Sequence, residues 1–440
     1  MKVWRNWARS AMARPFMVAT PRGEEEVISV LREARRLGQS VRPVGSGHSF
    51  SSLAATDGVL LGTGGLSGLR SVDPVARVAR FGGGTVVADV ATQLARHGLA
   101  LENMGDVDRQ TIAGAIATGT HGTGFGFPGL ASGVVGLRMV LADGSVVDCS
   151  ATRCSELFQA ARVGLGAFGV VTEVAVRCVP AFLLTADEHP EPLEALLEDF
   201  TCRMSEADHV EFYWFPHTHA ALVKVNSRRP ADAAALDPLP AWRALFEDEV
   251  VNNGVYGASC YAGLLAPAVI PTMNRVATRL VADRRYTDWS PRVFTSRRRV
   301  RFREMEFAVP LDAVPDVLWE IAATIKRRRW RISFPIEVRV AAADDVWLSP
   351  AYQRTTGYVA VHRFHLESFT EYFRTVQDIA VAAGGRPHWG KLHSRTAMEL
   401  RRSYPRFDEA RAVRDRVDPD GLFTNRAVAR IFGFNGPPQR

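Results

Sequence analysis

The hydrophobic pattern near the N-terminus predicts a helix followed by a strand. Apolar residues recur at the i, i+3, i+4 and i+7 positions of one helix face: Val27, Val30, Leu31 and Ala34. Pro21 favours a helix start and Gly38 favours its end. A strand is expected near residues 40–44, so the chain begins as an α/β protein.

Short apolar runs between Val59 and Phe81, broken by glycines, predict strands and hairpins. Gly82-Gly83-Gly84 follows and precedes a second amphipathic helix, with Val86, Val90 and Leu94 on one face. A triple glycine before a helix can admit a phosphate, but it more often makes a simple turn. The turn is the preferred interpretation here.

A hairpin is predicted over residues 134–147, because Asp143-Gly144 separates two apolar strands. Residues 164–169 then match the pattern G-x-G-x-x-G. A dinucleotide fingerprint should follow a strand and open a helix. Here the alternation of residues 170–176 is that of a strand, so the sequence argues against a Rossmann site.

The composition changes after Pro180, and residues 181–385 predict a second lobe of α+β type. An aromatic strand is expected at 210–215, a strand at 334–340 with Glu337 and Arg339 on one face, and a strand at 358–364 with His362 and Phe364 on one face. The acid and base can form a surface ion pair or the floor of a polar pocket, and the sequence leaves both open. A lone histidine is more often structural than functional.

The charge of the chain narrows its possible binding partners only slightly. The 440 residues are 47% hydrophobic and 23% charged, with a net charge of +7 and a pI near 9.4, which is compatible with several anionic partners. The arginines of 297–299, with Arg301 and Arg303, and the cluster 326–329 are expected to be solvated. They come without a nucleic-acid recognition motif, so no nucleic-acid partner is predicted, although a basic binding protein without redox activity stands as the second hypothesis.

The expected location is the cytoplasm. The five cysteines form no C-x-x-C pair, the N-terminus has no apolar core of signal-peptide length, and no apolar run approaches the length of a transmembrane helix. Contact with the inner membrane surface stays open. His388 and His393 are five positions apart, which is poor spacing for a shared metal, and no metal site is predicted.

Two segments have the composition of ligand-binding sites. Residues 43–51 place His48 between glycines that allow sharp turns and hydroxyl side chains that form hydrogen bonds. Residues 103–124 are dominated by glycine, alanine and threonine, where a packed core would want larger side chains. Such a segment leaves room for a large flat ligand, although a plain glycine-rich turn or helix–loop is the alternative for each stretch.

These stretches together resemble the aldonolactone oxidoreductases of the vanillyl-alcohol-oxidase type of flavoprotein, which include gulonolactone, arabinonolactone and alditol oxidases. The motifs are VGSGHSFS at 44–51, the ENMGD to GTHGTG block at 102–124, the Glu-x-Arg pair at 337–339 and HWGK at 388–391. The resemblance implies an α+β, two-lobed FAD-binding domain with an α+β substrate cap domain. It divides the chain into an FAD-binding domain at 1–180, a cap domain at 181–385 and a C-terminal segment at 386–440 that returns to the FAD domain.

The resemblance also implies functions for individual residues. His48 matches the histidine joined covalently to FAD. The other expected cofactor contacts are Gly45, Ser46, Gly47, Ser49, Gly105, Thr111, Gly114, Thr118, Gly122, Val171 and His388. Arg339 and Lys391 are expected to stabilise negative charge during hydride transfer, Glu337 to bind a substrate hydroxyl, and His362 to contact substrate or accept a proton.

The implied reaction is oxidation of a CH–OH group of an L-gulono-1,4-lactone-like substrate, with reoxidation by oxygen, a cytochrome or a quinone-like acceptor. The alternative is an alditol oxidase that produces hydrogen peroxide. Asp106 and Phe364 replace hydroxyl residues of the alditol oxidases, which favours a cyclic lactone. Gly105 stands where a larger side chain obstructs oxygen in dehydrogenase relatives, so access of oxygen is expected.

Overall fold

The computed structural model describes residues 3–240, 242, 254, 256–280, 283–296 and 298–433. Arg297, from the predicted solvated cluster, lies outside the described residues, as do the first two and last seven residues of the predicted domains. Short 3₁₀ turns occur at Thr63–Gly65, Leu130–Gly133, Ala233–Ala235, Pro267–Val269 and Leu311–Ala313.

The first lobe contains two main sheets. Its strands are β1 Trp4–Arg5, β2 Met12–Ala13, β3 Met17–Ala19, β4 Val41–Val44, β5 Val59–Gly62, β6 Leu69–Asp73, β7 Val78–Gly82, β8 Leu99–Ala100, β9 Val134–Val140, β10 Val146–Ser150 and β11 Val170–Arg177. Its helices are α1 Glu24–Arg36, α2 Val87–Ala95, α3 Ile112–Ala117 and α4 Ser155–Ala161. A parallel sheet has the order β3-β5-β4, and an antiparallel sheet has the order β10-β9-β11-β7-β6. The predicted hairpin and the strand after the G-x-G-x-x-G segment are confirmed as β9–β10 and β11.

The first predicted helix is confirmed, but its start is wrong by about one turn. Helix α1 begins at Glu24 with Gly23 as its N-cap, and not at Pro21. Three glutamates fill its first turn and two arginines its last, which the helix dipole favours at these ends. Gly38 follows the helix with φ +63°, a conformation in which glycine carries no steric cost.

The second lobe is built on one eight-stranded sheet. Its strands are β13 Phe182–Pro192, β14 His209–Trp214, β15 Ala220–Pro230, β16 Arg284–Trp289, β17 Phe302–Pro310, β18 Ile336–Ala341, β19 Thr356–Phe364 and β20 Arg386–Pro387, with order β16-β13-β15-β14-β18-β19-β17-β20 and antiparallel pairing throughout. The short β12 Val179–Pro180 pairs with β8. The helices are α5 Leu193–Glu198, α6 Phe200–Ser205, α7 Tyr256–Leu265, α8 Ile270–Leu280, α9 Ser290–Phe294, α10 Val314–Arg328 and α11 Thr370–Ala382.

The two faces of this sheet are chemically different. The apolar residues of β17, β18 and β19 pack into one core with helices α10 and α11: Met305, Phe307, Val309, Ile336, Val338, Val340, Val359 and Val361. Because side chains alternate along a strand, the residues between them point to the opposite face. They include Glu304, Glu306, Glu337, Arg339 and His362, all of which are buried. The fold therefore places a charged layer on one side of the sheet.

The C-terminal segment packs on the first lobe through helices α12 Ala397–Ser403, α13 Phe407–Val417 and α14 Arg426–Phe432. Its apolar residues share one core with those of α4 and the segment after it. The backbone N–H of Val41 donates to Leu422 O at 2.7 Å, which ties this segment to β4. The domain boundary at 385/386 stays a prediction, because β20 adds residues 386–387 to the sheet of the second lobe.

Candidate active site

The glycine–histidine loop begins where β4 ends and is held by the N-terminal segment. The Trp7 N–H donates to Gly47 O at 2.8 Å, and Asn6 Nδ2 donates to Ser49 O at 2.9 Å. Gly47 adopts φ +68°, which a residue with a side chain rarely tolerates. The ring of Trp7 stacks beside that of His48, with centroids 6.0 Å apart. The loop is therefore fixed from outside while His48 lines the interior.

A narrow cavity runs behind this loop and is lined mainly by small residues. Of the predicted cofactor contacts it contains Gly45, Ser46, Gly47, His48, Ser49, Thr111, Gly114, Thr118 and Val171. The G-x-G-x-x-G segment also lines it through residues 164–166, 168 and 169. The rejection of a Rossmann turn agrees with the strand that follows, but sequence reasoning did not place this segment in the cavity.

Polar groups along this cavity fit a large anionic cofactor. Ser51 lines the cavity, and its buried Oγ has no hydrogen-bond partner among the described residues. The backbone N–H groups of residues 46–49 likewise donate to no described residue. Buried donors and acceptors are normally paired, and successive free N–H groups form an anion-binding concavity. The residues present therefore fit the pyrophosphate and polar edges of FAD.

Arg42 supports the cavity from below, and sequence reasoning missed it. Its fully buried guanidinium donates to the carbonyl oxygens of Leu53 at 2.7 Å, Leu165 at 2.6 Å and Phe423 at 2.5 Å. Burial, with a smaller contribution from Arg414, lowers the pKa of Arg42 to about 9. One side chain thus joins three separate segments around the cavity.

The pKa of His48 is lowered by burial and, to a smaller extent, by the nearby charge of Arg109. A lowered pKa keeps the imidazole neutral at neutral pH, where one ring nitrogen retains a free electron pair. His48 can therefore act as a nucleophile without prior loss of a proton.

A second cavity of about 640 Å³ adjoins the first, and His48, Ser49, Gln110 and Thr118 line both. The charged face of the second-lobe sheet forms part of its wall. The predicted residues that line it are His48, Ser49, Gly105, Thr118, Glu337, Arg339, His362, His388 and Lys391. The polar-pocket interpretation of Glu337 and Arg339 is therefore correct, and a surface ion pair is excluded by their burial.

Arg339 lies among three carboxylates. It pairs with Glu337, and its Nε lies 3.2 Å from Glu211 Oε2. Its Nη2 lies 3.6 Å from Asp106 Oδ1. Burial alone would lower the pKa of Arg339, but Glu337, Asp106 and Glu211 hold it well above its ordinary value. The guanidinium therefore keeps its charge in this site.

Lys391 is held by carboxylates of β17. Its Nζ lies 2.5 Å from Glu304 Oε1 and 4.0 Å from Glu306 Oε2. Burial would raise the pKa of Glu304, but Lys391 and His362 offset this effect and lower it to about 2. The pKa of Lys391 is raised, because Glu304 and Glu306 outweigh the effect of burial. Sequence reasoning missed both glutamates.

The histidines have defined orientations. His362 Nδ1 lies 3.0 Å from Pro335 O, so this nitrogen carries a proton and Nε2 faces Glu304 at 3.6 Å. His121 Nδ1 lies 2.8 Å from Gly122 O, and its Nε2 faces Glu306 at 3.3 Å. His362 therefore presents its Nε2 to the cavity, where this nitrogen also lies 3.9 Å from Glu337 Oε2.

His388 has the opposite arrangement, because its Nδ1 accepts the Gly390 N–H at 3.0 Å. Burial is the main cause that lowers its pKa to about 3, so this ring stays neutral. The group His121, Glu306 and His388 and the group Glu304, Glu337 and His362 each bring ligand-type atoms within 4.8 Å of one another. Lys391 and Arg339 already supply positive charge there, so we assign no metal to either group.

Three expectations from the sequence need correction. Gly122 lines neither cavity, and a Cβ there would lie 2.3 Å from Met104 O, so its small size serves packing. Phe364 is buried in a cluster with Phe50, Phe302 and Phe334 and lines neither cavity, so it gives no argument about substrate. Arg298 is not a freely solvated surface residue, because it is only partly exposed, lines the second cavity and pairs with Asp106 at 2.5 Å.

The triple glycine is a close-packed turn. A Cβ on Gly84 would lie 1.8 Å from Thr63 O, and one on Gly83 would lie 2.4 Å from Val171 O. None of the three glycines lines either cavity, which supports the turn interpretation over a phosphate site.

The fold and the cavities define the class of protein. Residues 15–150 match the family of FAD binding domains. The solved structure of cholesterol oxidase from B. sterolicum has a TM-score of 0.82 and 17% identity to this chain, with 98% of this chain and 96% of that chain covered. The predicted α+β, two-lobed flavoprotein fold is therefore confirmed, and the chain is an FAD-binding protein.

Residues 174–431 match the D-arabinono-1,4-lactone oxidase family, to which the chain belongs. L-gulono-1,4-lactone dehydrogenase of Mycobacterium tuberculosis is 39% identical, with 98% of this chain and 99% of that protein covered. L-gulonolactone oxidase of Bos taurus is 31% identical, with 98% of both covered. Alditol oxidase of a Streptomyces species is 31% identical, with 96% of both covered.

The family membership confirms the predicted enzyme class, which is flavin-dependent oxidation of aldonolactones, over a basic binding protein without redox activity. Within the described ranges, no helix is both long enough and apolar enough to cross a membrane.

Proposed function

We propose that the protein oxidises a CH–OH group of an L-gulono-1,4-lactone-like aldonolactone, with FAD attached covalently through His48. The observation that carries the proposal is the junction of the two cavities at His48 and Thr118. One cavity is narrow and lined by glycines, and the other has a wall of buried charges. When bound between these residues, FAD would supply the hydride acceptor of the reaction.

Arg339 and Lys391 stabilise negative charge that develops on the substrate oxygen. Both stay protonated, because nearby carboxylates raise their pKa values. Fixed charges in a partly dehydrated site stabilise a transition state without further reorganisation. Glu337 binds a substrate hydroxyl and orients Arg339, and it is itself fixed by Tyr213 Oη at 2.8 Å.

His362 accepts the proton of the substrate hydroxyl. Its Nδ1–H is engaged by Pro335 O, so Nε2 is the nitrogen available on the cavity side. A general base must lie within hydrogen-bond reach of the proton that it removes. His362 Nε2 lies 3.9 Å from Glu337 Oε2, so a substrate hydroxyl bound by Glu337 would lie beside this nitrogen.

The acceptor is proposed to be oxygen, with a cytochrome or quinone-like molecule as the alternative. Gly105 lines the second cavity, and a Cβ there would lie 3.1 Å from both His121 O and Thr120 Cγ2. A methyl group would therefore narrow the cavity at this point. Gly105→Ala should slow reoxidation by oxygen at least about tenfold and leave reoxidation by a dye nearly unchanged, whereas equal effects would exclude gating by Gly105.

The proposed function is tested by anaerobic reduction of the purified holoenzyme. Gulono-, galactono- and arabinonolactones should bleach the flavin absorbance, and they should do so faster than xylitol or sorbitol. Faster bleaching by the polyols would favour the alditol oxidase alternative. No bleaching by any aldonolactone would overturn the proposal.

A further inference from the structure

Arg298 joins the second cavity through a bond that the sequence did not indicate. Its Nε and Nη2 donate to Asp106 Oδ2 at 2.8 and 2.5 Å, and its side chain is 31% exposed. Burial alone would lower the pKa of Arg298, but Asp106 holds it well above its ordinary value. The guanidinium is therefore charged and fixed at the cavity wall.

Asp106 is held by two arginines, one on each carboxylate oxygen. Arg298 binds Oδ2, and Arg339 Nη2 lies 3.6 Å from Oδ1. Although burial would raise the pKa of Asp106, Arg298, Arg339 and Lys391 hold it well below its ordinary value. Arg298 donates twice to one carboxylate oxygen, and Arg339 lies at ion-pair distance from the other. The effect of Asp106 is to position the arginines.

The backbone strengthens this arrangement. The Ser296 N–H donates to Asp106 O at 2.9 Å, which joins the segment before Arg298 to the loop that carries Asp106. The same cavity wall therefore presents Arg298 and Arg339 as donors, linked through one anion. Arginine has several N–H donors and no acceptor.

This donor pair matches a lactone better than a polyol. A lactone carbonyl oxygen only accepts hydrogen bonds, whereas a polyol hydroxyl, which can also accept, carries a proton that needs an acceptor of its own. We propose that Arg298, positioned by Asp106, binds the lactone carbonyl oxygen and gives this cavity its preference for lactones over polyols; the proposal rests on the lactone oxidation proposed above. A site built to hydrogen-bond one group rejects analogues that lack it.

The test compares Arg298→Gln with wild type on L-gulono-1,4-lactone and on the 1,4-anhydro alditol that has the same ring without the carbonyl. For the lactone, kcat/KM should fall about 10- to 100-fold, mainly through KM, as expected for loss of one charge-assisted hydrogen bond. The inhibition constant of the anhydro alditol should change by less than about twofold, because this ligand lacks the group that Arg298 binds. An equal loss for both ligands, or no loss for the lactone, would overturn the proposal.

Arg301→Gln is the matched control, because Arg301 belongs to the same basic cluster and lines neither cavity. It should behave as wild type, and the flavin content of all variants should be equal. Arg298→Lys, which keeps the charge, should recover part of the lost kcat/KM. It replaces the glutamine variant in the comparison if that variant is unstable. If no aldonolactone reduces the flavin of the wild-type enzyme, that result would instead contradict the proposed function.

Asp106→Asn tests the positioning of Arg298. It should reproduce part of the rise in KM, and the double variant should lose less than the sum of the two single losses, since the aspartate acts in part through Arg298. Losses that add in the double variant would show that Asp106 acts independently.

Discussion

Nζ of Lys391 lies 2.5 Å from Oε1 of Glu304 across the wall of the second cavity. The lysine comes from the HWGK motif, and the glutamate comes from β17, which sequence reasoning did not place in the site. The carboxylate, whose pKa is lowered to about 2, and the ammonium, whose pKa is raised, form a charged pair through the neutral range.

Glu304→Gln should make the enzyme sensitive to high pH. Without this carboxylate, burial of Lys391 is less offset and its pKa falls, so the ammonium loses its proton at lower pH. The neutral-pH kcat should fall by less than the roughly 10²–10³-fold cost of removing a transition-state contact outright, because Lys391 remains, and a new basic limb should appear in kcat/KM. The pH–rate profile of the lactone reaction measures both.

The control for Glu304→Gln is Glu188→Gln. Glu188 is also buried, pairs with Arg284 at 2.7 Å and lines neither cavity. Glu188→Gln should lower the free energy of unfolding and leave the pH–rate profile unchanged. A Glu304→Gln profile parallel to that of wild type would contradict the assigned link to Lys391.

His48→Ala should leave any bound FAD extractable. Acid precipitation of wild type should give a yellow pellet and a colourless supernatant, whereas the variant should release its flavin. The exposed His97 provides a matched histidine, and His97→Ala should retain covalent flavin. Release of all flavin from acid-treated wild type would end the covalent part of the proposal.

The alternation of polar and apolar residues made part of the site predictable. The strands with Glu337, Arg339 and His362 were recognised, because each carries polar residues on one face and β-branched residues on the other. The same pattern exists in β17, where Glu304 and Glu306 alternate with Met305 and Phe307. That signal was available, but which face of a strand meets a cavity is decided by tertiary packing.

Other parts of the site could not be read from local sequence. Arg298 stands in an arginine-rich run that is typical of a solvated surface, and only its contact with Asp106, 192 positions away, brings it to the cavity. Arg42 lies within a strand, and its partners are carbonyl oxygens from three distant segments. Gly122 shares the composition of the cofactor loop but packs on Met104 O. A composition of small residues indicates free volume, but it does not show whether a ligand or another part of the protein fills that volume.

Gly45→Ala should weaken flavin binding by moving the two sides of the narrow cavity. An added Cβ would lie 2.1 Å from Thr111 Oγ1, so the loop or Thr111 must shift. Such overpacking costs about 1–3 kcal/mol in free energy of unfolding. FAD content per chain and the urea midpoint measure the two effects.

Gly64→Ala is the control for this substitution, because its Cβ would meet no atom within 4 Å. Gly122→Ala should lower stability without a selective loss of flavin, since Gly122 lies outside both cavities. Full flavin occupancy in Gly45→Ala, together with a normal urea midpoint, would contradict the close approach of Gly45 to Thr111.

His209 should make the protein less stable in mild acid. Its Nδ1–H donates to Thr123 O at 2.7 Å, and its Nε2 accepts from Arg228 Nε at 3.1 Å, so the folded state holds a neutral ring. Burial is the main cause that lowers its pKa to about 4 from the ordinary value of 6.5. As pH falls from 6.5 towards 4, the unfolded chain takes up a proton that the folded chain does not, so up to about 3 kcal/mol of stability is lost. Urea unfolding between pH 7 and pH 4.5 should therefore show a smaller loss of unfolding free energy for His209→Gln than for wild type, because glutamine can donate and accept hydrogen bonds without titrating. The exposed His97 provides the control, and His97→Gln should lose as much unfolding free energy as wild type. Equal losses in all three proteins would rule out His209 as the source.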